Sequence, residues 1–555
     1  MSLLVGLLLA GCSAPPGPPN DGGLTVCVGD PTSPSIGAAI ATAADGAIIY
    51  VCSGVYAERL TISGKQLDLI GIDGADATVI DGGGSGPVIT IEGGADVTLS
   101  GITFQNGVAP EGGALLCDRS RVQITGSAFR NSRATEYGGG VALLDCTGAL
   151  VGNLMRDNEA GKRGGGLYHQ SDASVTGNMI VGNRAGWTGG GVHVVGHQPT
   201  FDVNTIAENS AVNDGGGIYF HQSNGAVLRA NHIHHNHCDD DGGGVRIFET
   251  AMTVEANLVE DNTTGDGGGG IRVSHVPSIF IANTIRNNDA GGTGGGIDMD
   301  NDASTVMGGE ISGNHASGSG GGIFHWLGPW NGAVLAGVKI TNNRAYRGGG
   351  IFLDDNFQTV TMIGLVVAGN QASKGGGLMV RGTSYTIRNS VFIDNKGDRG
   401  GAIYAGVNSA HSAWTEPCPP CPPTEPVGRI DFSTFHGNRA DDGAALWIDT
   451  ARVTFASSIV SSSQGAAVSV VPAAGMGNQL TPPRWIYNDT VPASFAGMTD
   501  PTGRDGNLST PPLYIDPNAA DFHLKAGSAC IDAGDPAMRD PDGSRADMGS
   551  FGGPQ

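Results

Sequence analysis

The 555-residue sequence predicts an all-β chain wound into a single parallel β-helix solenoid, with three short strands per coil of about 26 residues. Three observations carry this reading. A glycine-rich corner recurs with its last small residue at Ala114, Gly140, Gly166, Gly191, Gly217, Gly244, Gly270, Gly296, Gly322, Gly350, Gly377 and Ala402, at intervals of 25 to 28 residues. Asparagines recur at a nearly constant distance before it. Between corners, stretches such as "SVTGNMIVGNRAGWTGGGVHVV" divide into three short β-rich runs separated by Asn or Gly, with no helical period. Runs of three to five residues with three corners make one coil, each coil hydrogen-bonding to the next.

The elements follow in chain order. Residues 1–11 are apolar but too short to cross a bilayer, and 12–23 form a Pro/Gly-rich tether. "SPSIGAAIATAADG" predicts an N-terminal capping helix: Ser33 as N-cap, Pro34 at the first helical position, Gly46 as the stop, and Ile36, Ala39, Ile40 and Ala43 on one face. The β-helix is expected over 24–471, interrupted by a Cys/Pro-rich loop at 414–427. Residues 472–555 read as an irregular C-terminal cap. Stacked at ~4.8 Å per coil, this gives a rod on the order of 60–75 Å long.

Within the coils, residues of one type line up at one phase. One asparagine column is Asn158, Asn183, Asn209, Asn236, Asn262, Asn288, Asn314, Asn370 and Asn395; another, five residues earlier, is Asn153, Asn178, Asn204, Asn231, Asn257 and Asn283. Asn suits tight corners with left-handed backbone, and stacked amides can bond along the axis. Three residues before the first column runs an apolar core stack, Met155, Ile180, Ile206, Ile233, Val259, Ile285, Ile311, Val367 and Phe392. The glycine triplet marks a corner needing positive φ or close backbone approach.

Composition narrows the function. Glycine is abundant, 94 residues, yet it lacks the every-third-position period of collagen, and 39% hydrophobic residues oppose disorder. A formal net charge of −23 opposes nucleic-acid binding. Of nine cysteines, Cys27 with Cys52 and Cys117 with Cys146 are spaced by about one coil, which allows disulfides between adjacent turns. Cys418 and Cys421 lack the second pair a zinc site would need, which leaves a loop disulfide or two free thiols.

Several stretches resemble known families. Leu9-Ala10-Gly11-Cys12 is similar to the lipobox of bacterial lipoproteins, although no Lys or Arg precedes the apolar run. The resemblance implies that Cys12 is lipidated and, with Ser13 after it, that the protein is sent to the outer membrane. "AAIATAADGAIIYVCSGVYAERLTISGKQLDLIGIDGADATVIDGGG" resembles the opening coils of right-handed, pectin-lyase-like bacterial β-helices. "FHLKAGSACIDAGDP" and "DPDGSRADMGSFGG" are similar to the closing segment of the same group. The Asn and Gly-Gly-(Gly/Ala)-(Ile/Val/Leu) repeat resembles that of polymorphic outer membrane protein adhesins. Such adhesins usually end in a membrane barrel; nothing after Val471 reads as alternating barrel strands, so the lipid is the expected anchor.

In the strand after each glycine corner, the first and third residues are expected inward and the second and fourth outward. The outward columns bring Arg246, Arg272, Asp298, Asp300, Trp326 and Asp354 onto one strip, the candidate ligand face for a polysaccharide or cell-surface glycan. Carboxylates there suit glycosidic cleavage or, with calcium and Arg, a lyase; the plainer reading is a solvated face. No catalytic residue is assigned and no cofactor is expected. "NHIHHNHCDDDGGG" offers His232, His234 and Asp239 to Asp241 as metal ligands or as an exposed turn. "DPDGSRAD" offers Asp540, Asp542 and Asp547 for a structural calcium. The expected function is a lipid-anchored envelope protein with a structural or adhesive role; the alternative is a polysaccharide lyase or glycoside hydrolase on the same scaffold.

Overall fold

A computed structural model describes residues 22–30, 33–301, 303–326, 332–354, 358–406, 427–449, 451–471 and 483–553. Cys12, Cys418 and Cys421 lie outside them, as does most of the 414–427 loop. The chain is nearly all β and forms one right-handed solenoid of about 17 turns with three parallel sheets. We call the three the front, side and back ladders. In one coil the front strand is Leu167–Gln170, the side strand Ser174–Thr176 and the back strand Met179–Val181. Each pairs in parallel with its counterpart one coil on, as Leu167 does with Val192 and Ile180 with Ile206. A fourth, narrow ladder of mostly two-residue strands, from Val108–Glu111 to His315–Ala316, fills the corner before the glycines. From Arg344 onward that corner is one residue shorter and only single bridges remain.

The interior is one continuous apolar column from Val26 to Trp485, in which Met155, Ile180, Ile206, Ile233 and Val259 are wholly buried at successive levels. Both asparagine columns are buried. Each Asn gives its backbone N–H and side-chain amide to the Oδ1 of the next, as Asn183 does to Asn209 at 2.9 and 3.0 Å. Asn343 and Asn438 also belong to the longer ladder. The left-handed backbone expected at these asparagines lies one residue earlier, at Asp157, Glu208, His235 and Asp261 among others. That residue makes the bend, which frees the Asn side chain to turn inward.

The glycine corner divides two demands among three residues. Gly189 has φ +68°, whereas a Cβ on Gly190 would lie 2.3 Å from the Gly216 carbonyl oxygen of the next coil. A Cβ on Gly191 would meet the Asn209 amide at 2.9 Å. The first glycine supplies the turn and the other two supply contact.

The N-terminal helix spans Ile36–Thr42 and is capped by Ser35, not Ser33, whose hydroxyl instead accepts from the Cys27 N–H. Pro34 therefore precedes the cap. Glu58 accepts from the N–H groups of Ile36 and Gly37, and the Lys65 ammonium reaches the carbonyls of Ile40, Ala41 and Ala43 at the other end. Both charges oppose the helix dipole. Disulfides join Cys27 to Cys52 and Cys117 to Cys146, as the spacing predicts. The ladders continue one coil past Val471, through Arg484–Ile486, Asp489–Val491 and Phe495–Ala496. Beyond this, Asn507 accepts from the Asn488 N–H at the phase of the shorter asparagine column, which Ser390, Ser433 and Ser458 occupy in the coils before. The last segment then folds back along the rod: Tyr514, Phe522, Cys530 and Met548 pack on Val391, Ile393 and Ile459 of the back ladder.

Candidate functional site

The front ladder presents the strip singled out in the sequence, but its second-position column is not a solvated face. Tyr168, His193, Tyr219, Arg246, Asp298 and Phe352 are all buried. Two features close the column. Side chains stack along the axis: the rings of Tyr137, Tyr168, His193 and Tyr219 follow one another at centroid distances of 4.9, 5.5 and 4.9 Å. At two corners the residue just before the glycine triplet also bonds to the strand that follows. Thr188 Oγ1 lies 3.0 Å from His193 Nδ1, and Thr293 Oγ1 donates to Asp298 Oδ2 at 2.5 Å. Further along, Phe352, Met379, Tyr404 and Trp447 extend the column as an apolar stack.

Between the aromatic and apolar segments lies a charged centre built on Arg272. Its guanidinium meets Asp241 at 2.6 Å, Asp300 at 2.8 Å and Asp298 at 3.9 Å. Burial works against its charge, but Asp298, Asp241 and Asp300 outweigh that and hold it above its usual value. Arg246 lies over the Phe248 ring, 5.3 Å from its centroid, and donates to the Ile247 carbonyl. Asp354 is buried and paired with Arg381. Burial pushes Asp298 up to about 6 against the pull of Arg272, and it pushes Asp214 up to about 6 as well. The Nε atoms of Arg246 and Arg272 and Oδ1 of Asp298 are buried without partners. Trp326 alone of the six candidates is strongly exposed, at 43%. It pairs in the ladder between Asp300 and Asp354.

The six sequence candidates thus share one strip, though most are engaged with charges or rings of the protein itself. Sequence reasoning missed three partners: Asp241 as an Arg272 ligand, Thr293 and Arg381. Thr293 is signalled by a complementary pair five residues apart across the glycine corner, as in Thr188 with His193. Arg381 instead takes the place of Asp354 one coil on, and Asp241 reaches Arg272 from the corner of the preceding coil.

Among the described residues the one group of carboxylates or imidazoles that converges is Asp214, Asp240 and Asp241. Asp241 within it is already held by Arg272. His232 and His234 project from a back strand, His232 bonding Glu260 at 2.8 Å and His234 meeting His235 at 2.9 Å. The oxygens of Asp540, Asp542 and Asp547 accept from the N–H groups of Asp547, Ser544 and Asp532 respectively. Those three carboxylates organise a turn rather than face a common point.

Parallel ladders, buried amide stacks and a corner of three glycines define the architecture. Residues 166–331 match a family model described as a right-handed β-helix region. No curated protein matches the chain. Similar solved structures include a pectate lyase, at 14% identity over 94% of this chain and 92% of that one, with a TM-score of 0.27. The A-module of a mannuronan C-5 epimerase from Azotobacter vinelandii is 15% identical over 79% of this chain and 95% of its own, TM-score 0.28. The catalytic unit of an α-1,3-glucanase from Streptomyces thermodiastaticus is 14% identical over 90% and 72%, TM-score 0.24. Likeness of this degree says nothing about activity.

Proposed function

We propose that this β-helix is a cell-envelope rod with a structural or adhesive role, held to the outer membrane by lipid on Cys12 and spaced from it by the 12–23 tether. One observation carries the reading: the strip's carboxylates are committed to arginines of the chain, Asp241, Asp298 and Asp300 to Arg272 and Asp354 to Arg381. A hydrolase needs two carboxylates facing substrate, one to give a proton and one to accept it or attack. Here each of these carboxylates is turned to an arginine of the chain instead. Trp326 and the edge of Asp300 remain as the contact a glycan ring would use, by stacking and hydrogen bonding. The repeat's likeness to the adhesin repeat supports the same role.

The test has two parts. The mature protein is incubated with acidic and neutral glycans, and products are followed by reducing ends and by absorbance of unsaturated sugars; turnover would establish the lyase or hydrolase alternative instead. In parallel, a Cys12→Ala variant is fractionated. It should leave the outer membrane fraction, and equal partitioning with the parent would sink the anchor.

A further inference from the structure

The corner facet that carries the narrow ladder has charges sorted along the axis. Asp239, Asp240, Asp266 and Asp289 are exposed there on three successive coils. The next coil, His315 to Ser319, carries no carboxylate, Lys or Arg. The three coils after it carry Arg344 with Arg347, then Lys374, then Lys396 and Arg399 beside one carboxylate, Asp398, which accepts from the Ser373 hydroxyl. Asp289, His315, Arg344, Gln371 and Lys396 occupy one column, which Thr263 and His237 continue in the preceding coils. Asp239, Asp240 and Asp266 lie further along the same corner. Arg347, Lys374 and Arg399 form the neighbouring column.

The cations stand out in a chain of net charge −23. Elsewhere Arg121, Arg229, Arg272, Arg381 and Arg429 each hold a carboxylate. Among the described residues none of Arg344, Arg347, Lys374, Lys396 and Arg399 has a carboxylate within 4.0 Å. Three of them rest instead on rings, Arg347 beside Tyr346, Lys374 over Tyr404 and Arg399 over Trp447, with charged ends at 5.5 to 5.6 Å from the centroids. The stems are held while the charges stay unneutralised.

We propose that this facet docks a second copy of the chain lying antiparallel, about a two-fold axis through the His315–Ser319 coil. That operation turns the axial order around. It opposes Asp289 to Arg344, the Asp266 coil to the Lys374 coil, and the Asp239–Asp240 coil to the Lys396–Arg399 coil. Each contact occurs twice, which is what a closed isologous dimer requires. The overall negative charge is no obstacle at about 0.15 M salt, where screening acts beyond about 8 Å and spares ion pairs at contact. This surface borders the front strip, on whose Tyr404 and Trp447 the side chains of Lys374 and Arg399 rest, and it is independent of the anchoring reading.

The experiment is sedimentation velocity on the full chain carrying Cys12→Ala, so that no acyl group mediates association. The parent should sediment as a dimer at about 0.15 M NaCl and dissociate at about 1 M. Two reversal variants, Arg344→Glu with Lys396→Glu, and Asp266→Lys with Asp289→Lys, should each be monomeric with unchanged thermal unfolding. Mixed in equal amounts they should form a heterodimer, because the reversed basic patch of one then faces the reversed acidic patch of the other. The neutral pair Arg344→Gln with Lys396→Gln should weaken the dimer at least threefold and serves if reversal disturbs folding. A monomeric parent, variants that dimerise like the parent, or a mixture that stays monomeric would each overturn the proposal.

Discussion

A single oxygen of Asn183 holds two nitrogens of Asn158: its Oδ1 accepts the backbone N–H and the side-chain amide, both at 3.0 Å. The remaining amide hydrogen of Asn158 goes to the Phe129 carbonyl at 2.9 Å. Every corner in this ladder is thus tied to the coil on either side, and the buried backbone there finds partners that no strand supplies.

Replacing Asn209 with Ala should therefore cost far more than one hydrogen bond. It leaves the Asn183 N–H and amide without their acceptor and the Ile180 carbonyl without its donor, all in the buried column. At ~1–3 kcal/mol for each orphaned buried group, a loss of at least about 3 kcal/mol is expected from urea unfolding. Asn209→Asp should do no better at neutral pH, since it buries a charge and still loses the donors. A loss under about 1 kcal/mol would mean that the ladder merely accompanies the sheets.

Two glycines separate conformational from steric demand. Gly152 has φ +63° and nothing within 4 Å of a built Cβ, so Gly152→Ala should cost only the left-handed backbone, about 1 kcal/mol. Gly190 carries no such φ, yet its Cβ would sit 2.3 and 2.5 Å from the carbonyl oxygens of Gly216 and Ser210. Gly190→Ala should exceed about 4 kcal/mol or abolish folding, because two coils must part to admit one methyl. Thermal unfolding of the two variants distinguishes the cases.

The coil, its length and its inward columns were legible because the solenoid repeats one local solution. A position buried at Ile180 is buried again at Ile206 and Ile233 for the same reason. The front strip was legible only in membership. Strand alternation sends Asp298 and His193 outward, and it does so correctly. Their burial comes from the preceding corner, where Thr293 and Thr188 fold over them, and from stacking between coils. Alternation carries no information about either. Likewise, a helix pattern identified Ile36, Ala39 and Ile40 but placed the cap at Ser33, two residues before the true cap Ser35; Glu58, a strand away, holds the helix start at Ile36.

The charged centre gives a pH dependence of defined sign. Asp298 has a folded pKa of about 6, raised by burial, against about 3.9 for an unfolded Asp. The folded state therefore binds this proton more tightly than the unfolded chain. Its contribution to stability is complete below about pH 4 and is lost as pH rises through about 6. Between pH 5 and 7.5 the parent should lose stability from this group, on the order of 1–2 kcal/mol. Asp298→Asn, which can still accept from Thr293, should flatten that part of the profile. An identical slope in parent and variant would remove Asp298 as its source.

The final expectation concerns register. In the strand Ile218–His221 the first and third residues, Ile218 and Phe220, are wholly buried, and they pair with Val245 and Ile247 of the next coil. One residue inserted after Tyr219 would turn Phe220 outward and bring its polar neighbour into the core. Losing a buried Phe costs about 3–5 kcal/mol before any ladder bond is counted. An insertion between Val212 and Asn213, in the turn before the glycines, meets a different constraint. That segment is already one residue longer in the first coils than in those from Arg344 on, and both lengths reach the same corner geometry at Gly215 and Gly348, with φ +66° and +59°. The turn insertion should therefore cost no more than about 1 kcal/mol, while the strand insertion should remove the native unfolding transition. Equal shifts of the two midpoints in thermal unfolding would refute a register fixed by the inward column.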